Sequence, residues 1–120
     1  MKYLVDSNII IYHFNNESLA TEFLLNNVNQ CAISQITYIE VLSFPFEYEQ
    51  DVRNLLESFK IIDVNREIAV QATINRKIKK IKVPDNIIAS TAQVNNLILV
   101  TRNSSDFNAL DVQILDIFVT

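Results

Sequence analysis

The feature that most constrains this chain is a regular alternation of short apolar runs with longer stretches whose apolar residues recur at helical spacing. Tyr3-Leu4-Val5, Cys31-Ala32-Ile33, Ile61-Ile62-Asp63-Val64 and Leu97-Ile98-Leu99-Val100 are short, apolar and bounded by polar residues, so each reads as a buried strand. Between them Val52, Leu55, Leu56 and Phe59 recur at i, i+3, i+4 and i+7, the pattern of an amphipathic helix. Leu19, Ala20, Phe23 and Leu24 mark a helix over 17–27, and Val70, Ile74, Ile78 and Ile81 mark another. A helix from about Gln35 to Phe44 is capped by Ser34, carries Ile36, Glu40 and Phe44 on one stripe, and ends at Pro45. Asp6-Ser7-Asn8 offers cap residues for a first helix, Pro84 opens one with Asp85 in its first turn, and residues 112–118 read as a last strand. Strands alternating with helices predict an α/β fold: a three-layer α/β/α sandwich around a mostly parallel sheet of four to five strands. The length fits a single domain over residues 1–120.

The chain has no glycine. That excludes the Walker phosphate loop, the dinucleotide-binding fingerprint and the nucleophile elbow, which need glycine for tight turns or close backbone approach. Fourteen asparagines are expected to take many of the positive-φ turn positions instead. One cysteine, Cys31, rules out an internal disulfide and a Cys-based zinc site, and reads as plain core. One histidine, His13, argues against a Ser-His-Asp triad. With no signal peptide and no apolar stretch near the ~20 residues of a membrane span, the expectation is a soluble cytoplasmic protein.

Net charge is −4, unlike a protein coated for general nucleic-acid binding, but the charge is unevenly spread. Residues 1–75 hold four basic and ten acidic groups, whereas Arg76, Lys77, Lys79, Lys80 and Lys82 put five cations into seven residues. The cluster is either a solvated helix end that complements the helix dipole, or a phosphate-steering patch just before Asp85.

Four acids stand where such a fold gathers its chemistry. Asp6 follows the first strand, Glu40 lies on the helix after the second, Asp85 opens the helix before the fourth, and Asp106 lies in the loop after it. Ligands of open parallel sheets bind at the carboxyl ends of strands near the switch in strand order. Carboxylates gathered there repel one another unless a hard cation holds them. Taken singly, Asp6 and Asp85 are also good helix caps, Glu40 a surface helix residue and Asp106 a turn residue.

Over essentially its whole length the sequence resembles the PIN-domain ribonucleases of the VapC type, toxins of bacterial and archaeal toxin–antitoxin pairs. The resemblance rests on Tyr-Leu-Val-Asp-Ser-Asn at 3–8, Ser-Gln-Ile-Thr-Tyr-Ile-Glu-Val at 34–41, Pro-Asp-Asn-Ile-Ile-Ala-Ser-Thr-Ala at 84–92 and Leu-Val-Thr-Arg-Asn-Ser-Ser-Asp-Phe at 99–107. It implies that Asp6, Glu40, Asp85 and Asp106 are catalytic, with Asp6, Asp85, Asp106 and Asn103 toward the metal. Ser7 and Asn8 would orient Asp6, and Thr101 would brace the loop. Two positions depart from the family pattern: position 103 is Asn where some relatives carry Asp, and position 86 is Asn where a small apolar residue is more usual. Asn86 is expected to point along a helix that tolerates it.

The combined expectation is a Mg²⁺- or Mn²⁺-dependent endoribonuclease. Arg76, Lys77, Lys79, Lys80, Lys82 and Arg102 would hold the RNA backbone. The alternatives are a non-catalytic PIN-like module that binds RNA or a partner, and a phosphatase-type hydrolase. The second lacks the further aspartate its loop needs, because position 8 is Asn. Forty-nine percent apolar content is more than so small a domain easily hides. That excess and the resemblance together imply a homodimer and an antitoxin partner, with 38–48 and the helix at 50–59 as the expected contact surfaces.

Overall fold

The computed structural model describes residues 1–119. Five parallel strands, β1 (Tyr3–Val5), β2 (Cys31–Ser34), β3 (Lys60–Ile62), β4 (Ile98–Val100) and β5 (Ile114–Leu115), form one sheet in the order β3-β2-β1-β4-β5. From β1 the chain builds outward to β2 and β3, then returns to place β4 and β5 on the other side of β1. The strand order therefore reverses between β1 and β4, where Tyr3 pairs with Ile98, Leu4 with Leu99 and Val5 with Val100. A crevice opens at the carboxyl ends of two strands that part company in this way.

Alternate side chains along each strand enter opposite faces. Val5, Ile33 and Val100 join one core, packed beneath α1 (Ser7–Phe14), α2 (Ser18–Asn27), α3 (Gln35–Leu42) and α4 (Glu49–Glu57). Leu4, Ala32 and Leu99 join the other with Ile88, Ala89 and Ala92 of α6 (Val83–Val94), Phe107 and Leu110. Outside α6 lies α5 (Arg66–Ile78), capped by Asn65, whose Oδ1 accepts from the Ile68 N–H at 2.9 Å. The three-layer sandwich is thus built as expected. Cys31 is fully buried, and burial pushes its thiol up to about 11, as befits a core residue.

Several local expectations are revised. The last strand is only Ile114–Leu115, because 112–118 pairs at two positions with β4 and then turns away. Helix α3 stops at Leu42, so Pro45 lies beyond its end and Phe44 is exposed outside it. Ile36 is half-buried and packs toward the Leu4 core, so only Ile36 and Glu40 of the supposed stripe lie on the helix. On α5, Val70, Ile74 and Ile78 are exposed, whereas Ile68 and Asn75 are the buried residues. Among the described residues only Asn16 (φ 66°) and Asn96 (φ 53°) have positive φ, so asparagine fills two left-handed turns and not many. No helix among the described residues is long and apolar enough to cross a membrane.

Candidate active site

Asp6 leaves β1 in extended conformation (φ −72°, ψ 155°) and caps α1, its Oδ1 accepting from the Ser7 N–H at 2.7 Å. Its other oxygen, Oδ2, accepts from the Thr101 hydroxyl at 2.8 Å, across the β1–β4 junction. That hydroxyl has one hydrogen and two lone pairs. It gives the first to Asp6 and takes bonds from Asn8 Nδ2 (3.3 Å) and the Asn103 N–H (3.1 Å). Thr101 is fully buried and Asp6 is 5% exposed, so the first strand, the first helix and the 101–103 loop are locked around one carboxylate. Asn8 closes the ring, its Oδ1 facing the Arg102 N–H at 3.5 Å.

Glu40 enters from α3. Ser7 donates its hydroxyl to Glu40 Oε1 at 2.5 Å and lies 3.4 Å from the buried Thr37 hydroxyl, one helical turn before Glu40. Asp85 lies half-buried in the first turn of α6, and Asp106 is exposed on the short 3-10 turn Ser104–Asp106. Burial is the largest influence on Asp6 and raises its pKa to about 6. The hydrogen bonds from Thr101 and Ser7 pull it down, and the charges of Asp85 and Glu40 push it up. Burial also raises Asp85, helped by the charges of Glu40 and Asp106 and opposed by Lys82. The four acids therefore form one electrostatic chain: Asp6 feels Asp85 and Glu40, and Asp85 feels Glu40 and Asp106.

Asp85 and Asp106 line a pocket of about 240 Å³ whose other walls are Lys79, Lys80, Ile81 and Lys82. Lys79 also spans to the Asp106 turn, donating to the Ser105 carbonyl at 3.0 Å and to Asn108 Oδ1 at 3.4 Å. The rest of the basic cluster is elsewhere. Arg76 Nη1 donates to the Ile81 carbonyl (2.9 Å), and Arg76 and Lys77 line a separate hollow with Ala72, Thr73, Val83, Asn86 and Ile87. Arg102 lays its guanidinium over Phe118 (4.2 Å to the ring centroid) and Tyr12 (4.9 Å). Cation–π attraction of this kind holds the guanidinium against the two rings. Asn103 contributes its backbone N–H to Thr101, while the residue itself is exposed.

All the donors are hard oxygens, which suit Mg²⁺ or Mn²⁺. The mutual repulsion of the acids is what a cation would relieve. As the side chains lie, no three His, Cys, Asp or Glu side chains among the described residues are grouped to hold an ion. Asp6 is the fixed member of the set, with Asp85 half-buried and Asp106 exposed at the rim.

Sequence reasoning passed over Thr37, which stands three residues before Glu40 and so on the same helix face. It also passed over Tyr12 and Phe118 as the bed of Arg102. Asn86, expected to run harmlessly along its helix, is instead 5% exposed and hydrogen-bonded into the α5–α6 interface.

A parallel α/β/α sandwich with an acidic, lysine-flanked crevice at its strand-order switch is the class that fold and site define. Within that class the chain belongs to the PIN domain family, whose model matches residues 3–113. The tRNA(fMet)-specific endonuclease VapC of Shigella flexneri is 28% identical to it over 120 residues, covering 89% of this chain and 90% of that one. A toxin–antitoxin complex from Klebsiella pneumoniae contains a chain 36% identical, covering 99% of this chain and 100% of that one with a TM-score of 0.88. The VapBC-1 structure from nontypeable Haemophilus influenzae is similar at 27% identity, 99% and 100% coverage and a TM-score of 0.76.

Proposed function

We propose that this protein is a divalent-metal-dependent endoribonuclease, using Mg²⁺ or Mn²⁺, and the toxin of a toxin–antitoxin pair. The observation that carries this reading is the electrostatic chain of Asp6, Glu40, Asp85 and Asp106 at the β1–β4 switch, with lysines walling its Asp85–Asp106 end. The Shigella relative is named for cleaving tRNA(fMet), and the Klebsiella relative comes from a toxin–antitoxin complex. The first supports RNA as the substrate class, and the second an antitoxin as partner.

Asp6, Asp85 and Asp106 would hold the ion, with Asn103 beside them. When bound, it supplies the positive charge that lowers the pKa of water and offsets charge growing on the phosphate. Asp6 is kept in place by the Ser7 N–H and Thr101 hydroxyl, so its position costs no reorganisation when RNA arrives. Glu40, steadied by the Ser7 hydroxyl, accepts the proton released by the attacking water. Lys80 and Lys82 hold phosphate oxygens in the pocket they share with Asp85 and Asp106, and Lys79 keeps the Asp106 turn beside them. Cleavage of an RNA pool with Mg²⁺ or Mn²⁺, abolished by EDTA and by Asp6→Asn, is the expected result. RNA left intact under every ion would overturn the reading in favour of a binding module.

The same reading includes a homodimer and an antitoxin segment. Much of the exposed apolar surface sits in two places, only one of them foreseen. Phe14, Phe44, Phe46 and Tyr48 form a run of ring contacts at 4.7–5.8 Å, and α5 exposes Val70, Ile74 and Ile78. Helix α4 buries Val52 and Leu56 and otherwise presents mainly polar residues, so it offers no spare apolar face. Light scattering at tens of micromolar should report a dimer. A strict monomer that retains no antitoxin would leave a solitary nuclease.

A further inference from the structure

Helix α6 has two buried stripes. Ile88, Ala89 and Ala92 enter the core with Leu4, Ala32 and Leu99, and Asp85 continues that stripe one turn toward the helix start. Two of the three apolar contacts are alanines, which give a smooth, shallow surface. Such packing resists separation but sets the rotation of a helix only loosely.

The second stripe, Asn86, Ser90 and Gln93, faces α5 and is polar. Asn75, the buried polar residue of α5, has its amide nitrogen 3.1 Å from Asn86 Oδ1, 3.0 Å from Ser90 Oγ and 2.7 Å from Gln93 Oε1. Gln71 donates to Asn75 Oδ1 at 3.1 Å, and Asn86 donates its own amide to the Ala72 carbonyl of α5 at 2.8 Å. Gln93 extends the network to the Asp111 carbonyl at 3.2 Å. No buried side-chain polar atom among the described residues is left without a partner.

These bonds are directional, and one residue of helix is a rotation of about 100°. A turn of α6 by even a fraction of that breaks them, and a buried amide that loses its partner is expensive. At the start of α6 the cap residue Lys82 makes no side-chain capping bond, and Pro84 supplies no N–H. The linker before it is held by the Arg76–Ile81 carbonyl bond, by Lys79 reaching Ser105 and Asn108, and by the buried Ile81 side chain.

We propose that the Asn75–Asn86–Ser90–Gln93 network is a positioning device for Asp85, fixing the rotation and depth of the first turn of α6 so that the neighbouring carboxylate faces Asp6 and Glu40. Asn75 and Asn86 are positioning residues, and their role rests on the metal-site reading given above. It also accounts for asparagine at position 86, because its polar partner stands directly opposite in α5.

The test measures Mn²⁺ binding directly, by electron paramagnetic resonance of free Mn²⁺, on four forms of the full chain: wild type, Asn86→Ala, Val52→Ala and Asp85→Asn. Asn86→Ala should weaken Mn²⁺ binding about tenfold and lower kcat in proportion, with KM for RNA within about twofold. Val52→Ala, a cavity in the opposite core, should lower Tm comparably and leave the Mn²⁺ affinity as it was. Asn75→Ala serves as the second network variant if Asn86→Ala folds poorly. The proposal falls if the network variants keep wild-type affinity, or if Val52→Ala weakens binding as much as they do. If Asp85→Asn itself binds Mn²⁺ normally, the metal-site reading falls and takes the proposal with it. Weakening by Asp85→Asn but not by the network variants overturns the proposal alone.

Discussion

Asp6 and Asp106 lie at the two ends of one acidic chain, and the fold treats them in opposite ways. Asp6 is buried, and both its oxygens are claimed by hydrogen bonds from the Ser7 N–H and the Thr101 hydroxyl. Asp106 is exposed on a single 3-10 turn, tied by its own N–H to the Asn103 carbonyl (3.0 Å) and, through Ser105, to Lys79. One end belongs to the core and costs stability to ionise; the other belongs to the surface and can move. A site built this way keeps a rigid reference point and adapts at its rim. On the proposed reading, the fixed end would govern whether chemistry occurs, and the exposed end how well it is completed.

The sharpest way to break that comparison is to neutralise each end. Asp6→Asn should lower cleavage on the order of 10³-fold, and Asp106→Asn about tenfold. Equal losses in single-turnover assays would mean that the two ends are equivalent. Stability should also separate them. Asp6 is raised from 3.8 to about 6 by burial, so between those values the native state holds a proton the unfolded chain has released. Stability of the metal-free protein should therefore fall as pH rises through that window, by about 3 kcal/mol at most, and level off above it. Asp6→Asn should remove that component of the slope. At neutral pH the variant should be more stable than wild type, less about 1 kcal/mol for the Thr101 hydrogen bond that must reverse. Urea melts across pH 4 to 7 measure this. A wild-type stability that rises across that window would sink the account of Asp6.

Thr101 is the next lever, because its hydroxyl joins the rigid end together. Thr101→Val keeps the shape but leaves Asn8 Nδ2 and the Asn103 N–H without their acceptor and Asp6 Oδ2 without its donor. A loss of about 2–3 kcal/mol and a tenfold or greater fall in kcat are expected. Ser105→Ala, on the mobile turn, removes no side-chain bond seen in the structure and should change neither by much. A Thr101→Val protein with wild-type stability and turnover would show that the rigid end is not held as the geometry implies.

Legibility from sequence divides along the same line. Asp6, Ser7 and Thr101 were readable because they directly follow apolar strands, and strand order then brings them together. Ser34 was equally plain as a cap, and its hydroxyl accepts from the Ile36 N–H at 3.0 Å. What the sequence hid was the direction in which helices face. Val70, Ile74 and Ile78 have the spacing of a buried stripe, yet α5 turns them outward and buries Asn75, because its inward neighbour α6 offers amides. Periodicity reports that a face exists and is silent about what covers it. The basic cluster was hidden for a related reason. Five cations within seven residues span a helix end and a linker, so they point to different sides of the molecule.

That division supplies the smallest and most discriminating test. Lys80 and Lys82 wall the pocket with Asp85 and Asp106, whereas Lys77 lines the hollow on the α5–α6 surface with Val83 and Ile87. If the lysines act by contacting phosphate, only the first pair should release counterions when RNA binds. Replacing both with alanine should flatten the salt dependence of RNA affinity by about 1.4 log units per log unit of salt, the value for two contacts to a single strand. Binding near physiological salt should weaken about tenfold. Lys79 is a poorer probe, because its bond to the Ser105 carbonyl ties its loss to a shift of the Asp106 turn. Lys77→Ala should leave the slope within error, although it removes the same charge from the same short segment. A change in slope as large for Lys77 as for one of the pocket lysines would mean that the cluster acts through its summed field. In that case the pocket geometry would carry no part of RNA recognition.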